Sequence, residues 1–361
     1  MESISSEIII EDLPKEMMRT KPSDDDLGFG SEFTDRMFLQ EFKDGAWQKG
    51  RITPFQNFSL SPAALVFHYG QAIFEGMKAY KHPDGSVAMF RPDMNAKRFH
   101  RSAKRMMMAA IPEDYFIESI EKLVTLERDW IPRKMGTSLY IRPTLIATQS
   151  VLGVKPSKEY YYYVILSPSS AYFKEGFAPV KIMVTGKYVR AAIGGVGDAK
   201  TAGNYAASLY AGDIAKKEGY SQVLWLDAKE HRYVEEVGAM NIAFVMDDII
   251  YTPPLKGSIL PGVTRDSILR LAPDLGYKVK EEALAIDVIA EASKSGNLTE
   301  VFGMGTAAVI APVGELKYKD QVMTFNNGAI GKITTDLYDN LTAIQYGTKE
   351  DPYGWVKKLK V

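Results

Sequence analysis

The string Gly194-Gly195-Val196-Gly197-Asp198-Ala199-Lys200-Thr201-Ala202-Gly203-Asn204-Tyr205 sets a single lysine among glycines and small side chains. Small residues let another molecule approach the backbone closely. A helix is predicted over 205–217, stopping near Gly219, which puts Lys200 at a loop-to-helix junction. Ahead of it, 180–184 reads as a strand. Behind it, 222–226, 233–237 and 241–245 read as a strand meander, followed by helices over 264–272 and around 286–294. Such a mixture describes an α/β domain.

The N-terminal half has the same character. After a polar, mobile leader over about residues 1–26, the segment 35–42 alternates as a strand. The runs 71–80 and 86–90 flank His82-Pro83-Asp84-Gly85 and predict a hairpin. Helices are expected over 93–110, entered through Pro92-Asp93, and over 114–129; strands are expected over 138–147 and 160–166. Composition then turns to Ser, Gly, Pro and Ala around 167–179, a connection between domains. A chain of 361 residues suits two domains: a smaller one over 1–172, a linker over 173–182 and a larger one over 183–361.

Composition excludes several functions. Lys and Arg total 44 against 45 Asp and Glu, scattered rather than striped, so no nucleic-acid partner is expected. There is no cysteine, hence no disulfide, thiolate metal site or cysteine nucleophile. The four histidines have no ligand spacing, and no metal is expected. The N-terminus lacks the basic start and long apolar run of a signal peptide, and no stretch is long enough to cross a bilayer, so no membrane partner is expected and a cytoplasmic location fits.

Lys200 becomes a nucleophile only where burial or a neighbouring charge destabilises its ammonium. The glycine run matches neither nucleotide-binding order. Better phosphate candidates are Leu260-Pro261-Gly262-Val263-Thr264-Arg265-Asp266 and Phe302-Gly303-Met304-Gly305-Thr306-Ala307, both read as helix entries with free amides. Glu235 and Glu236 lie in an apolar strand and point to opposite faces, so only one can face a pocket; an inward carboxylate there suits a bound charged group, and the other reading is a solvated acid on a sheet edge. Tyr140 and Arg142 share one strand face and suit a carboxylate. Arg98, on the helix after Asp93, suits a bidentate bond to phosphate. Phe29, Tyr69, Phe74 and Tyr172 are candidates for an apolar pocket.

Together these segments resemble the branched-chain aminotransferases, class IV aminotransferases of the fold-type IV pyridoxal-phosphate enzymes. The resemblance covers almost the whole chain. It runs from Phe29-Gly30 through His68-Tyr69-Gly70-Gln71-Ala72-Ile73-Phe74-Glu75-Gly76-Met77-Lys78-Ala79-Tyr80, Asn95-Ala96-Lys97-Arg98 and Leu139-Tyr140-Ile141-Arg142-Pro143 to the Lys200 string. It continues in Glu236-Val237-Gly238-Ala239-Met240-Asn241, the two phosphate candidates and Ile344-Gln345-Tyr346-Gly347.

The resemblance implies pyridoxal 5'-phosphate held by Lys200 as a Schiff base in the larger C-terminal domain, and ping-pong transamination of L-leucine, L-isoleucine and L-valine with 2-oxoglutarate. It implies Glu236 at the ring nitrogen, Tyr205 at the ring oxygen, and Arg98, Thr306 and the amides of Val263 and Thr264 at the phosphate. Phe29, Phe74, Tyr140, Tyr172 and Ala307 would bind the aliphatic substrate, and Arg142 with Tyr69 the distal carboxylate of glutamate. Leu152 and Val154 would reach the neighbouring subunit of a homodimer.

Two departures from mammalian relatives stand out. Ala239 replaces a threonine, and the Thr306 segment lacks a C-x-x-C pair. The alternatives are a D-amino-acid aminotransferase or aminodeoxychorismate lyase of the same fold, or a binding protein without chemistry.

Overall fold

The structure is a computed structural model and describes residues 7–170 and 176–360. The chain forms two compact units: residues 1–171, 199–202 and 344–361 make the first, and 172–198 with 203–343 the second.

The first unit carries a ten-stranded sheet. Its strands are β1 (Ile8–Ile10), β2 (Arg36–Lys43), β3 (Ala46–Trp47), β4 (Gly50–Pro54), β5 (Ala72–Phe74), β6 (Met77–Lys81), β7 (Val87–Phe90), β8 (Ser138–Ala147), β9 (Tyr160–Ser169) and a C-terminal strand, Val356–Lys358. Their order is β1-β4-β2-β9-β8-β6-β7 and then Val356–Lys358, with β3 beside β2 and β5 beside β8. The helices are α1 (Leu65–Tyr69), α2 (Pro92–Arg105) and α3 (Glu113–Leu126). Phe99 of α2 and Phe116 of α3 meet Tyr162 of β9 with ring centroids 5.8 and 6.1 Å apart, and Phe38 of β2 lies 5.4 Å from Tyr162. Alternation along β8 sends Leu139, Ile141 and Leu145 into that core and leaves Tyr140 and Arg142 for the other face.

Three local expectations change. The run 71–80 is two strands, broken where Glu75 turns its carboxylate to Arg98. The helix expected to 110 ends at Arg105: Met107 has φ +53°, and Gln71 Nε2 donates to the carbonyls of Met106 at 3.0 Å and Met107 at 3.3 Å, capping the turn. The expectation that 183–361 forms one domain is corrected at its end, because Val356–Lys358 pairs antiparallel with β7.

The second unit carries a nine-stranded mixed sheet, ordered β12-β11-β10-β17-β16-β13-β14-β15 with β18 on β17. The strands are β10 (Val180–Val184), β11 (Gln222–Leu226), β12 (Val234–Val237), β13 (Asn241–Met246), β14 (Ile249–Thr252), β15 (Lys278–Glu281), β16 (Leu298–Gly305), β17 (Val309–Tyr318) and β18 (Gln321–Thr324). Ile182, Leu224, Ile242, Phe244 and Leu316 are wholly buried in its core. The remaining helices are α4 (Ala202–Ala206), α5 (Leu209–Lys217), α6 (Val263–Asp274), α7 (Ile286–Ser295) and α8 (Lys332–Gln345). The single helix expected over 205–217 is split, as Ser208 Oγ donates to the Tyr205 carbonyl at 2.7 Å and competes with the helical ladder. Of the expected linker, 173–175 lie outside the described residues and 180–182 already belong to β10.

Candidate active site

The candidate residues fall on both units. In the first, Lys200 is seated by its backbone: its N–H donates to Ser102 Oγ of α2 at 3.0 Å, and its carbonyl accepts from Phe74 N at 3.1 Å. Thr201 bridges to Ile73 and donates through Oγ1 to the Ala72 carbonyl at 2.8 Å. Lys200 was expected in the C-terminal domain; this pairing with β5 groups it instead with the first unit. Its Nζ stands 4.9 Å from the centroid of Phe74, over the ring face.

Around it lie the first unit's other candidates. Arg142 Nη2 donates to Tyr140 Oη at 3.0 Å, and the guanidinium carbon sits 4.7 Å from the Phe74 centroid and 5.2 Å from that of Tyr140. Phe29 meets Tyr140 edge-on at 5.1 Å. Phe29, Phe74, Tyr140 and Arg142 thus form one aromatic wall with a cation in it, and Arg142 has no acidic partner among the described residues. Tyr69, at the end of α1, donates through Oη to the Leu152 carbonyl; Leu152 and Val154 are exposed at 64% and 82%. Tyr172 lies outside the described residues.

Arg98 is already engaged. Its Nε and Nη2 donate to Glu75 Oε1 at 2.7 Å and Oε2 at 2.8 Å, so the bidentate fork expected for a phosphate is closed on Glu75. Asn95 Nδ2 adds a bond to Glu75 Oε2 at 2.7 Å. Burial alone would push the Glu75 carboxyl up; the charge and hydrogen bonds of Arg98, then the charge of Lys200 and the bond from Asn95, bring it net below the ordinary value. Glu75 was given no role from sequence, although asking what neutralises a buried arginine would have singled it out.

In the second unit, Glu235 and Glu236 sit on β12, at the sheet edge, and both are buried, at 7% and 3% exposure. Neither is a solvated edge acid: Glu235 accepts from Ser258 Oγ, a partner from a distant loop. Glu236 Oε1 accepts from Leu260 N at 2.8 Å and Asn241 Nδ2 at 3.2 Å, and Oε2 lies 2.8 Å from Arg190 Nε. Arg190 was not noticed in the sequence, and nothing local marks it.

Leu260 leads into α6, whose N-cap is Gly262 and whose first residues are Val263 and Thr264. A Cβ on Gly262 would stand 2.0 Å from Asn241 Oδ1, so only glycine fits that approach. The N-cap has no side chain to satisfy the first amides of the helix, which leaves an anion-binding terminus backed by the helix dipole. Thr306 and Ala307 correct another expectation. They form the tip of the β16–β17 hairpin, where Gly305 pairs with Val309 at φ +61°, rather than a helix entry, because the apolar run on each side finds a strand partner. Tyr205 is half-buried on α4.

The second unit sets a buried carboxylate beside an open helix terminus, and the first sets a lysine beside an aromatic wall. Residues 72–316 match the model of the amino-transferase class IV family. The chain belongs to this family, among its branched-chain members. It is 49% identical over 342 residues to branched-chain-amino-acid aminotransferase 2 of Bacillus subtilis, covering 94% of each chain. It is 52% identical over 343 residues to a probable branched-chain-amino-acid aminotransferase of Staphylococcus epidermidis, covering 94% of this chain and 96% of that one. Among solved structures, the branched-chain amino acid aminotransferase of Escherichia coli matches with a TM-score of 0.76 at 27% identity, over 90% of this chain and 99% of that one. A further branched-chain amino acid aminotransferase, solved with pyridoxamine 5'-phosphate, matches with a TM-score of 0.76 at 28% identity, over 91% of this chain and all of that one.

Proposed function

We propose that the chain transfers amino groups between L-leucine, L-isoleucine or L-valine and 2-oxoglutarate, with pyridoxal 5'-phosphate attached at Lys200. The observation that carries the substrate reading is the aromatic wall of Phe29, Phe74 and Tyr140 with Arg142 inside it. One site must accept an aliphatic side chain and, in the return half-reaction, a second carboxylate, so it needs apolar walls and a cation without an acidic partner of its own.

The residues suit the cofactor. When bound, it supplies an electron sink for the bonds at the substrate Cα. Lys200 holds it covalently and carries the proton to and from that Cα. Glu236 keeps the proton on the ring nitrogen, and Tyr205 donates to the ring oxygen. The amides of Val263 and Thr264, the Thr306 hydroxyl and Arg98 hold the phosphate. Phe29, Phe74, Tyr140, Tyr172 and Ala307 exclude water from the aliphatic side chain, and Arg142 with Tyr69 orients the distal carboxylate of glutamate.

We further infer a homodimer in which the exposed Leu152 and Val154 cover the partner's site, and a cytoplasmic setting. Among the described residues no helix is long and apolar enough to cross a membrane. The deciding assay pairs each branched-chain donor with 2-oxoglutarate, with D-alanine as the competing donor. Turnover of the three, a visible absorption band bleached by borohydride, and loss of both in Lys200→Ala are expected. Failure of all three donors while another turns over would sink the reading. Gel filtration with light scattering checks the dimer.

A further inference from the structure

We propose that Arg190 is a positioning residue of the cofactor-binding half-site, holding Glu236 ionised and locking the segments that would grip the ring and the phosphate into one buried frame. The inference rests on the reading of Glu236 and α6 given above.

Arg190 lies in the loop after β10. Its Nε is 2.8 Å from Glu236 Oε2, with the two side chains 7% and 4% exposed. Its Nη2 donates to the Gly197 carbonyl at 3.1 Å and to the Ser258 carbonyl. One planar group therefore pairs in charge with Glu236 and hydrogen-bonds carbonyls on two further segments, which an ammonium on a flexible stem does not reproduce. The three segments are the end of β12, which carries Glu236; the glycine stretch that continues in sequence to Lys200; and the loop that becomes the start of α6. The approach is close enough to dictate sequence: a Cβ on Gly197 would lie 2.2 Å from the Ser258 carbonyl oxygen and 2.6 Å from Ala191 Cβ.

The frame closes a second time without Arg190. Asn241 Nδ2 bonds both Glu236 Oε1 and, at 3.0 Å, the Leu260 carbonyl, while Leu260 N returns to Glu236. The orientation of Glu236 is thus fixed by neutral donors, and Arg190 adds the charge. The guanidinium also faces a second acid, Glu235. Burial raises that carboxyl; the Ser258 hydroxyl and then the Arg190 charge lower it, with a net rise. A buried carboxylate deprived of its cation takes up a proton, and a protonated Glu236 no longer serves as counter-ion to a protonated ring nitrogen.

The test titrates apoprotein with pyridoxal 5'-phosphate and follows the visible band of the bound cofactor against pH, in wild type, Arg190→Met and Arg190→Lys. Arg190→Met is expected to weaken cofactor binding about tenfold or more, the scale of hydrogen bonds to a charged group. It should also move the band's pH midpoint upward by about half a unit or more, since removing a fixed positive charge favours every protonated form beside it. Arg190→Lys keeps the charge and loses the fork, so it should weaken binding with the midpoint near wild type. A folded Arg190→Met protein with wild-type affinity and midpoint overturns the proposal. If that variant does not fold, wild-type affinity in Arg190→Lys overturns it. A wild-type protein that never develops the band sinks the cofactor reading instead, before any variant is compared.

Discussion

A buried glutamate meets a buried arginine in each unit, and these two pairs, Glu75–Arg98 and Glu236–Arg190, are built differently. In the first, Glu75 and Arg98 close on each other: both carboxylate oxygens take guanidinium donors, Oε2 also takes Asn95 Nδ2 and the Gly76 amide, and the side chains are 0% and 5% exposed. In the second, Arg190 meets Glu236 through Nε and spends Nη2 on two backbone carbonyls, while Glu236 takes its other donors from Leu260 N and Asn241. A closed pair anchors; a distributed one organises its surroundings. The closed pair packs where Lys200 is seated, and the Lys200 charge helps keep Glu75 low, whereas the distributed pair aligns a carboxylate with a helix terminus.

The contrast is broken most severely by Glu75→Gln. That change leaves the Arg98 guanidinium buried without its anion, and losing one partner of a buried pair costs about 3–5 kcal/mol. Chemical denaturation should report that loss together with weakened seating of Lys200; a stability within about 1 kcal/mol of wild type would show that Arg98 finds water or another acceptor instead. Glu236→Gln tests the other pair. With the neutral donors to Oε1 retained, the fold should hold while kcat falls by about 10²–10³-fold, the scale of losing one electrostatic stabiliser. Equal stability losses in the two variants would erase the distinction between an anchoring and an organising pair.

Much of the fold was legible because strands with one buried face write their period into the sequence. The strands over 138–147, 180–184 and 222–226 have the boundaries that alternation and β-branched content predict. Lys200 in its small, turn-forming surroundings, Glu236 in an apolar strand and the amides at the start of α6 were candidates that the sequence itself singled out. The pairings were not. Glu75 finds Arg98 across 23 residues, and Arg190 finds Glu236 from another strand's loop, separations at which no local pattern constrains the partner. The Thr306 segment misled for a related reason. Paired glycines before a threonine suit a helix entry and a hairpin tip equally, and only the partner strand Val309–Tyr318 decides between them.

Arg142 sharpens the comparison by being the arginine that neither pair absorbs. Its guanidinium rests on Phe74 and Tyr140, so Arg142→Gln should leave stability near wild type. It should raise KM for glutamate about 10–100-fold, as expected from losing a charge-assisted bond, while KM for leucine changes little. Equal effects on both substrates would place Arg142 at a group the two share.

Lys78 gives the smallest effect and the cleanest sign. It lies on β6 opposite Tyr140, and burial lowers its ammonium to about 8 from the ordinary 10.5. The folded protein therefore releases this proton at lower pH than the unfolded chain. Below about pH 8 both states hold the proton and the full burial cost is present; between there and about 10.5 the unfolded chain binds more protons, so stability rises with pH. From pH 8 to 9 that rise is about 1 kcal/mol, given roughly 1.4 kcal/mol per unit well inside the window. Lys78→Met should remove it, so the difference in stability between variant and wild type narrows as the solution becomes alkaline. A difference that stays constant over that range would mean that Lys78 keeps its charge in the fold, held as Arg98 is by an anion rather than strained by burial.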